Sequence, residues 1–270
     1  LYMDRGDLRD LGLFYTAPKA EVKGVKIENC YINSTWNNTT KSGYVGGICG
    51  DSIGRVKQCS VTGTLSFNYG ENVTVNTWLL AIGGIAGYAV NDTKIEECYN
   101  GANLLVSVKK SSNIATQVRA GGIVSSAKSA NIKNCYNTGN ITTITTSTQE
   151  NCWKGGILGL LENYTLNIED SYNLGTINEG GDVGGILGLK GNGSTIHINN
   201  CYYLNTCGGS NTNGGVALTQ QQIQTPTFAN ILNKKETYSN NLNWTSKYQE
   251  GNEILWNYKD NRPILKWQMN

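Results

Sequence analysis

The sequence is poor in the residues from which helical domains and metal centres are usually built. Of 270 residues, 3 are proline, 3 phenylalanine, 2 methionine and 1 histidine. One histidine cannot make a His-Glu-x-x-His zinc helix, and no Cys-x-x-Cys spacing offers another route to zinc. Charged residues are only 16%, low for a solvent-exposed helical protein, while a hydrophobic content of 39% is too high for a disordered one. The 22 basic residues are nearly matched by 20 acidic ones, so no electrostatic footprint for nucleic acid or an acidic membrane is present. No apolar run approaches the roughly 18 residues of a membrane-crossing helix. The opening Leu1-Tyr2-Met3-Asp4 has neither an initiator methionine nor the features of a signal peptide, and the chain is expected to be a fragment of a longer one.

What is abundant is glycine, at 33 residues, with much asparagine, threonine and serine. That composition suits short strands joined by many turns. Glycine pairs recur at Gly46-Gly47, Gly83-Gly84, Gly121-Gly122, Gly155-Gly156 and Gly184-Gly185, each followed by isoleucine. Successive pairs lie 37, 38, 34 and 29 residues apart. A second phrase follows each pair: an aliphatic residue, two others, then cysteine or serine. It runs from Val56 to Cys59, Ile95 to Cys98, Ile132 to Cys135, Ile168 to Ser171 and Ile198 to Cys201. An orphan copy, Ile27 to Cys30, precedes the first glycine pair, giving five full units and a leading half-unit. No helical period runs through them. Strands too short to bury a face alone must cover one another, so the repeat predicts a β-solenoid with like residues stacked in ladders.

The segments Gly47-Ile48-Cys49-Gly50, Gly84-Ile85-Ala86-Gly87, Gly156-Ile157-Leu158-Gly159 and Gly185-Ile186-Leu187-Gly188 resemble the GLUG repeat. The Asn-Cys-Tyr-Asn-x-Gly phrase that follows is also typical of it. The resemblance spans roughly residues 20–206. Proteins with this repeat are large bacterial surface and secreted proteins, some of them IgA-specific metallopeptidases and many regarded as adhesins. The resemblance implies an all-β, right-handed parallel β-helix, where periodicity alone implies only a solenoid. Gly122-Ile123-Val124-Ser125 departs by ending in serine, and Ser171 departs at the cysteine position.

The expected organisation is a β-helix over 1–207, with units near 20–45, 46–82, 83–120, 121–154, 155–183 and 184–207, and a C-terminal cap over 208–270. The stretches from Ser66 to Leu80, Ser107 to Ala120 and Ile141 to Cys152 read as insertions on one face, and Thr142 to Thr148 is long enough for an extra exposed strand pair. In the cap, Thr219-Gln220-Gln221-Gln222 resembles a capping box, and Thr225 before Pro226 reads as an N-cap. A short helix is therefore placed near 219–234, with Phe228, Ile231 and Leu232 on one face and Lys234 and Lys235 at its C-terminus. The aromatic remainder, including Tyr238, Trp244, Tyr248, Trp256, Tyr258 and Trp267, is expected to plug the open end of the solenoid.

Cys30, Cys59, Cys98, Cys135 and Cys201 share one repeat position and are expected to form a buried thiol ladder. Cys201 and Cys207 lie close enough in sequence for pairing to be considered. His197 reads as an outward strand residue. Glu96-Glu97 and Glu169-Asp170 are neighbours on strands, so neither forms an acid/base couple by itself, although carboxylates can converge from different coils. The sharpest motif is Arg5-Gly6-Asp7, extending through Leu8 to Leu11, which resembles the RGDLxxL ligands of epithelial integrins. Gly12-Leu13-Phe14 just after it reads as an early strand that would turn those leucines into core. Sequons such as Asn140-Ile141-Thr142 read as incidental. No catalytic or metal site is expected, and no cofactor. The expected role is a non-catalytic adhesive or stalk region at the bacterial surface, displaying loops to a host or matrix protein or glycan. The alternatives are an accessory region of a larger surface enzyme, such as a peptidase, or a carbohydrate-active β-helix.

Overall fold

The computed structural model describes residues 1–6, 10–14, 20–36, 42–52, 54–69, 79–108, 117–145, 151–209, 213–234 and 255–269. Among these the chain winds as a parallel β-solenoid, and the one antiparallel pair lies near the C-terminus. Each coil crosses four faces. Face 1 ends in the glycine pair: Gly43–Gly46, Leu79–Gly83, Gln117–Gly121, Asn151–Gly155 and Asp182–Gly184, preceded by Asp10–Leu11. Face 2 follows it: Cys49–Ser52, Ala86–Ala89, Val124–Ala127, Leu158–Leu161 and Leu187–Lys190. Face 3 carries the aliphatic phrase: Ala20–Lys23, Gly54–Lys57, Thr93–Glu96, Ala130–Lys133, Thr165–Glu169 and Thr195–Asn199. Face 4 is the widest and includes Tyr2–Gly6, Lys26–Trp36, Ser60–Tyr69, Tyr99–Val108, Tyr136–Asn137, Ile141–Thr145, Tyr172–Asn173, Tyr202–Leu204 and Val216–Leu218.

The glycine pair is a corner and a notch. A Cβ on Gly121 would lie 1.7 Å from the carbonyl oxygen of Val124, so the turn from face 1 to face 2 closes only around a bare α-carbon. The second glycine makes room for face 4: a Cβ on Gly122 would meet the Asn137 side chain at 2.5 Å. Asn100, Asn137 and Asn173 occupy equivalent notches, fully buried. Asn100 Nδ2 donates to Asn137 Oδ1 and Asn137 Nδ2 to Asn173 Oδ1, each at 2.8 Å, and every one of these amides also closes its own turn two residues on. In neighbouring coils Val61 and Tyr203 fill the notch. The isoleucine after the pair, Ile48, Ile85, Ile123, Ile157 or Ile186, points into the core and is wholly buried.

The second corner, from face 3 to face 4, turns on a left-handed residue just before the cysteine position. Gln58, Glu97, Asn134, Asp170 and Asn200 have φ of 54°, 53°, 52°, 49° and 51°. Such φ values cost a non-glycine residue on the order of 1 kcal/mol. The cysteine offsets part of that: Cys98 Sγ lies 3.2 Å from Glu96 O across the corner and 3.6 Å from Val56 O of the preceding coil. Cys59, Cys135 and Cys201 repeat the arrangement, and Ser171 reproduces it with its Oγ 2.7 Å from Glu169 O.

Cys30 is not on this ladder, which corrects the reading of Ile27 to Cys30 as the first copy. Val22 pairs with Val56 and Lys23 with Lys57, so Gly24, at φ 72°, makes the corner and Val25 stands where Cys59 stands. Ser60 N donates to Val25 O at 2.9 Å, just as Tyr99 N donates to Cys59 O. The copy that matched by letters falls one strand later, where Asn29 forms a bulge and Cys30 pairs with Gly63. Glycine takes the left-handed turn without a Cβ penalty, and the bulge lets Ile27, Cys30 and Ile32 all point inward. The leading half-unit also extends further than expected. Leu11 pairs with Val45, and Phe14 N donates to Ile48 O at 2.8 Å, so 10–14 is a shortened first corner. The threonine-rich stretch makes no separate strand pair among the described residues; Ile141–Thr145 pairs with Tyr99–Val108 and widens face 4.

Two parts of the C-terminal segment divide the work of capping. Val216–Leu218 adds a last strand to face 4, and Gly214 and Gly215 lie against Ile198 and Ile186, closing the end of the core. Helices α1 (Gln220–Ile223) and α2 (Pro226–Leu232) follow. The capping box at Thr219 forms with Gln222, but Thr225 makes no side-chain cap and its hydroxyl donates to Gln222 O instead. The described part of the aromatic segment, 255–269, does not plug the end. The hairpin of Trp256–Lys259 and Arg262–Leu265 lies along the flank, over a column of tyrosines. Trp256 sits 5.8 and 5.5 Å from the rings of Tyr136 and Tyr172, and Phe228 is edge-on to Tyr172 and Tyr202. Tyr136 donates to Gln268, Tyr172 to Pro263 O, and Trp267 to Glu97 O. A row of outward rings would otherwise be an exposed apolar strip. Lys234 pairs with Asp170 on the solenoid. Lys235, Tyr238, Trp244 and Tyr248 lie outside the described residues.

Candidate functional site

The tight glycine corner brings outward residues of faces 1 and 2 against each other. In register, face 1 presents Tyr44, Ala81, Arg119 and Trp153, and face 2 presents Asp51, Tyr88, Ser126 and Leu160. Tyr44 and Tyr88 stack at 4.7 Å. Below them lies the polar cluster of the molecule. Arg119, nearly buried, is paired with Glu162, donates to Ser126 Oγ at 3.3 Å and to Gln117 Oε1 at 2.9 Å, and lies over the Trp153 ring. Tyr88 donates to Glu162 Oε2 at 3.0 Å, and the Lys128 ammonium is 3.9 Å from the same oxygen. Burial, and then the Glu162 charge, push the Tyr88 hydroxyl well above its ordinary range. One carboxylate ringed by donors is a neutralised node, not the two-carboxylate couple of glycoside hydrolysis.

The second unusual group is Lys154. It occupies the position before a glycine pair where the other copies have Val45, Ile82, Ala120 and Val183, and its side chain points into the core. It is fully buried. Among the described residues its Nζ meets only uncharged oxygens: Asn178 O at 2.5 Å, Glu179 O at 2.9 Å, Asn178 Oδ1 at 3.0 Å and Thr143 Oγ1 at 3.3 Å. Burial lowers its pKa from the usual lysine range.

The residues singled out in the sequence are dispersed. Arg5 and Gly6 lie in a face 4 strand, paired with Ser34 and Thr35, while Asp7 and Leu8 lie outside the described residues. Leu11, the last leucine of the integrin-like motif, is a core residue. Glu96 binds Arg55 and Glu97 binds Lys57; Glu169 binds Lys133, and Asp170 binds Lys234 and Asn200. Glu96 and Glu97 thus bind different cations, whereas Lys133 reaches both Glu169 and, at 3.9 Å, Asp170. His197 is exposed on face 3, stacked on Asn167. All eight cysteines are buried with free thiols, Cys201 and Cys207 among them. A cavity of about 160 Å³ lies where the C-terminal segment meets the solenoid, lined by Lys133, Asn134, Asp170, Leu232, Asn233, Lys234 and Leu255.

Arg119, Glu162 and Tyr88 escaped sequence reasoning because they meet across coils, from positions 43 and 74 residues apart. Lys154 did carry a signal: a charged residue at a ladder position that is otherwise aliphatic.

Fold and corners define the class: a parallel β-solenoid with glycine-notch and left-handed corners. No protein-family model matches the chain, and no curated protein matches it. Among solved structures it is similar to the crystal structure of a putative immunoglobulin A1 protease from Bacteroides ovatus, with a TM-score of 0.50 and 20% identity, over 92% of this chain and 75% of that one. At that identity the likeness is one of fold.

Proposed function

We propose that this chain is a non-catalytic β-solenoid region of a bacterial surface or secreted protein, serving outside the cell as an adhesive or stalk segment related to GLUG-repeat proteins. One observation carries the reading. The repeated residues are spent on core, notch and corner, whereas in the middle coils the connections of most unequal length join face 4 to face 1: Trp36 to Gly43, Tyr69 to Leu79, Val108 to Gln117 and Thr145 to Asn151. Arg5 and Gly6 end the face 4 strand Tyr2–Gly6 at the same edge. A rigid rod with variability gathered along one edge suits display to a host or matrix protein or glycan.

The test is binding of the purified chain to immobilised matrix proteins, glycans and epithelial cells. Saturable binding that falls at least tenfold when residues 109–116 are replaced by a Gly/Ser linker supports the reading. Cell binding that survives Asp7→Glu would remove the integrin motif from it. Absence of binding to every surface, or cleavage of immunoglobulin A1 by the chain alone, would overturn it. A second reading, an accessory region of a larger surface peptidase, is favoured by the name of the similar structure. A His-Glu-x-x-His segment in the parent gene supports that one.

A further inference from the structure

We propose that Lys154 and Asn178 are the two halves of an intramolecular amide cross-link that ties face 1 to the segment following face 4. A lysine buried in the core with no carboxylate on it among the described residues loses its hydration without gaining a charge partner there, so its neutral, nucleophilic form is favoured. Beside it, beyond the backbone carbonyls of Asn178 and Glu179, is a side-chain amide in a fixed orientation. Asn178 Nδ2 donates to Thr143 O at 2.8 Å, and Thr143 N donates to Asn178 Oδ1 at 3.0 Å. These two bonds lock the amide and settle which end is oxygen.

The same bonds supply what amide exchange needs. Lys154 Nζ lies 3.0 Å from Asn178 Oδ1, so rotation about its terminal bonds carries it to the adjoining Cγ. Attack there forms the Nζ–Cγ bond and puts negative charge on Oδ1, which already accepts the Thr143 backbone N–H. The Thr143 hydroxyl lies 3.3 Å from Nζ and 3.5 Å from Asn178 Oδ1, and the amine proton, taken up through it, ends on the departing nitrogen. The Cγ–Nδ2 bond breaks and ammonia leaves. Atoms balance with no oxidant, reductant or added reagent: a lysine amine and an asparagine amide become a secondary amide and ammonia. Among the described residues, Cys152, whose Sγ is 3.6 Å from Thr143 Oγ1, is the other titratable side chain at this contact. The geometry also gives a reason for lysine at a ladder position that is otherwise aliphatic. A cross-link there fastens two faces of one coil across the core, independently of the hydrogen-bonded ladders.

Intact-mass measurement of the unmodified chain decides the proposal. The expected mass is about 17 Da below that calculated from the sequence, the loss of one ammonia on acylation of the amine. Proteolysis should release a branched peptide joining Lys154 to Asn178. Lys154→Met should show no deficit. Asn178→Asp should converge on the cross-linked wild-type mass, because loss of water there yields the same amide. A wild-type mass equal to the calculated one, with Lys154 and Asn178 recovered in separate linear peptides, overturns the proposal. That result does not depend on whether any variant folds.

Discussion

At the residue scale, the solenoid is decided by a few positions where ordinary side chains do not fit or do not suffice. Gly122 gives its space to Asn137, and the asparagine repays the buried polar group by bonding both along the ladder and across its own turn. The cysteine position is different in kind. What the corner uses is a small donor that reaches the carbonyl two residues back, and Ser171 fills that role as well as a thiol. Cys135→Ser should therefore cost no more than about 1 kcal/mol in chemical denaturation, within the range of one hydrogen bond. A loss above about 3 kcal/mol, the range of a core cavity, would mean that the bulk of the sulfur holds the corner rather than its proton.

At the element scale, the C-terminal segment is two devices. Residues 213–218 finish the core, and the helices with the hairpin seal its flank. The flank is held through aromatic contact and a short set of hydrogen bonds to the corner ladder, including Trp256 Nε1 to Asn134 Oδ1 at 3.3 Å. Trp256→Ala should remove about 3–5 kcal/mol locally. Hydrogen exchange would then speed up for 226–232 and 256–265, while the amides of Ile123 and Ile157 in the glycine corners keep their protection. Equal loss of protection at both places would mean that the flank and the coils unfold as one unit.

At the scale of the whole molecule, burial of so many thiols and phenols makes stability depend on alkaline pH. Burial pushes Cys49 up to about 12 from its usual 9.0 and raises Cys30, Cys201 and Cys207; the contact with Cys98 and then burial raise Cys59. Tyr136 and Tyr172 are raised by burial as well. A group whose pKa is higher folded than unfolded stabilises fully below its unfolded pKa and loses that contribution as pH rises towards the folded value. Lys154, while it remains a free amine, acts in the opposite sense, because its folded pKa is lowered. One amine is outnumbered, so the denaturation midpoint under reducing conditions should hold to about pH 8 and fall steadily between pH 9 and 11. A flat profile over that window would contradict the depth of burial described here.

The repeat was legible in the sequence because its causes are local. A glycine pair, an inward isoleucine and a small donor after a left-handed turn are each required by their own coil, so the phrases recur and announce a parallel solenoid. The capping box at Thr219 and the buried face of Phe228, Ile231 and Leu232 were legible for the same reason. Register was not. Ile27 to Cys30 copies the phrase letter by letter, yet the first coil turns at Gly24, because the pairing of 20–23 with 54–57 outweighs a local match. Nor could the sequence say where the aromatic tail would lie, since that follows from a tyrosine column assembled from several coils. Only the tertiary structure brought Arg119 to Glu162, which coil stacking makes neighbours across 43 residues, and Lys154 to Asn178, which meet across the core of one coil.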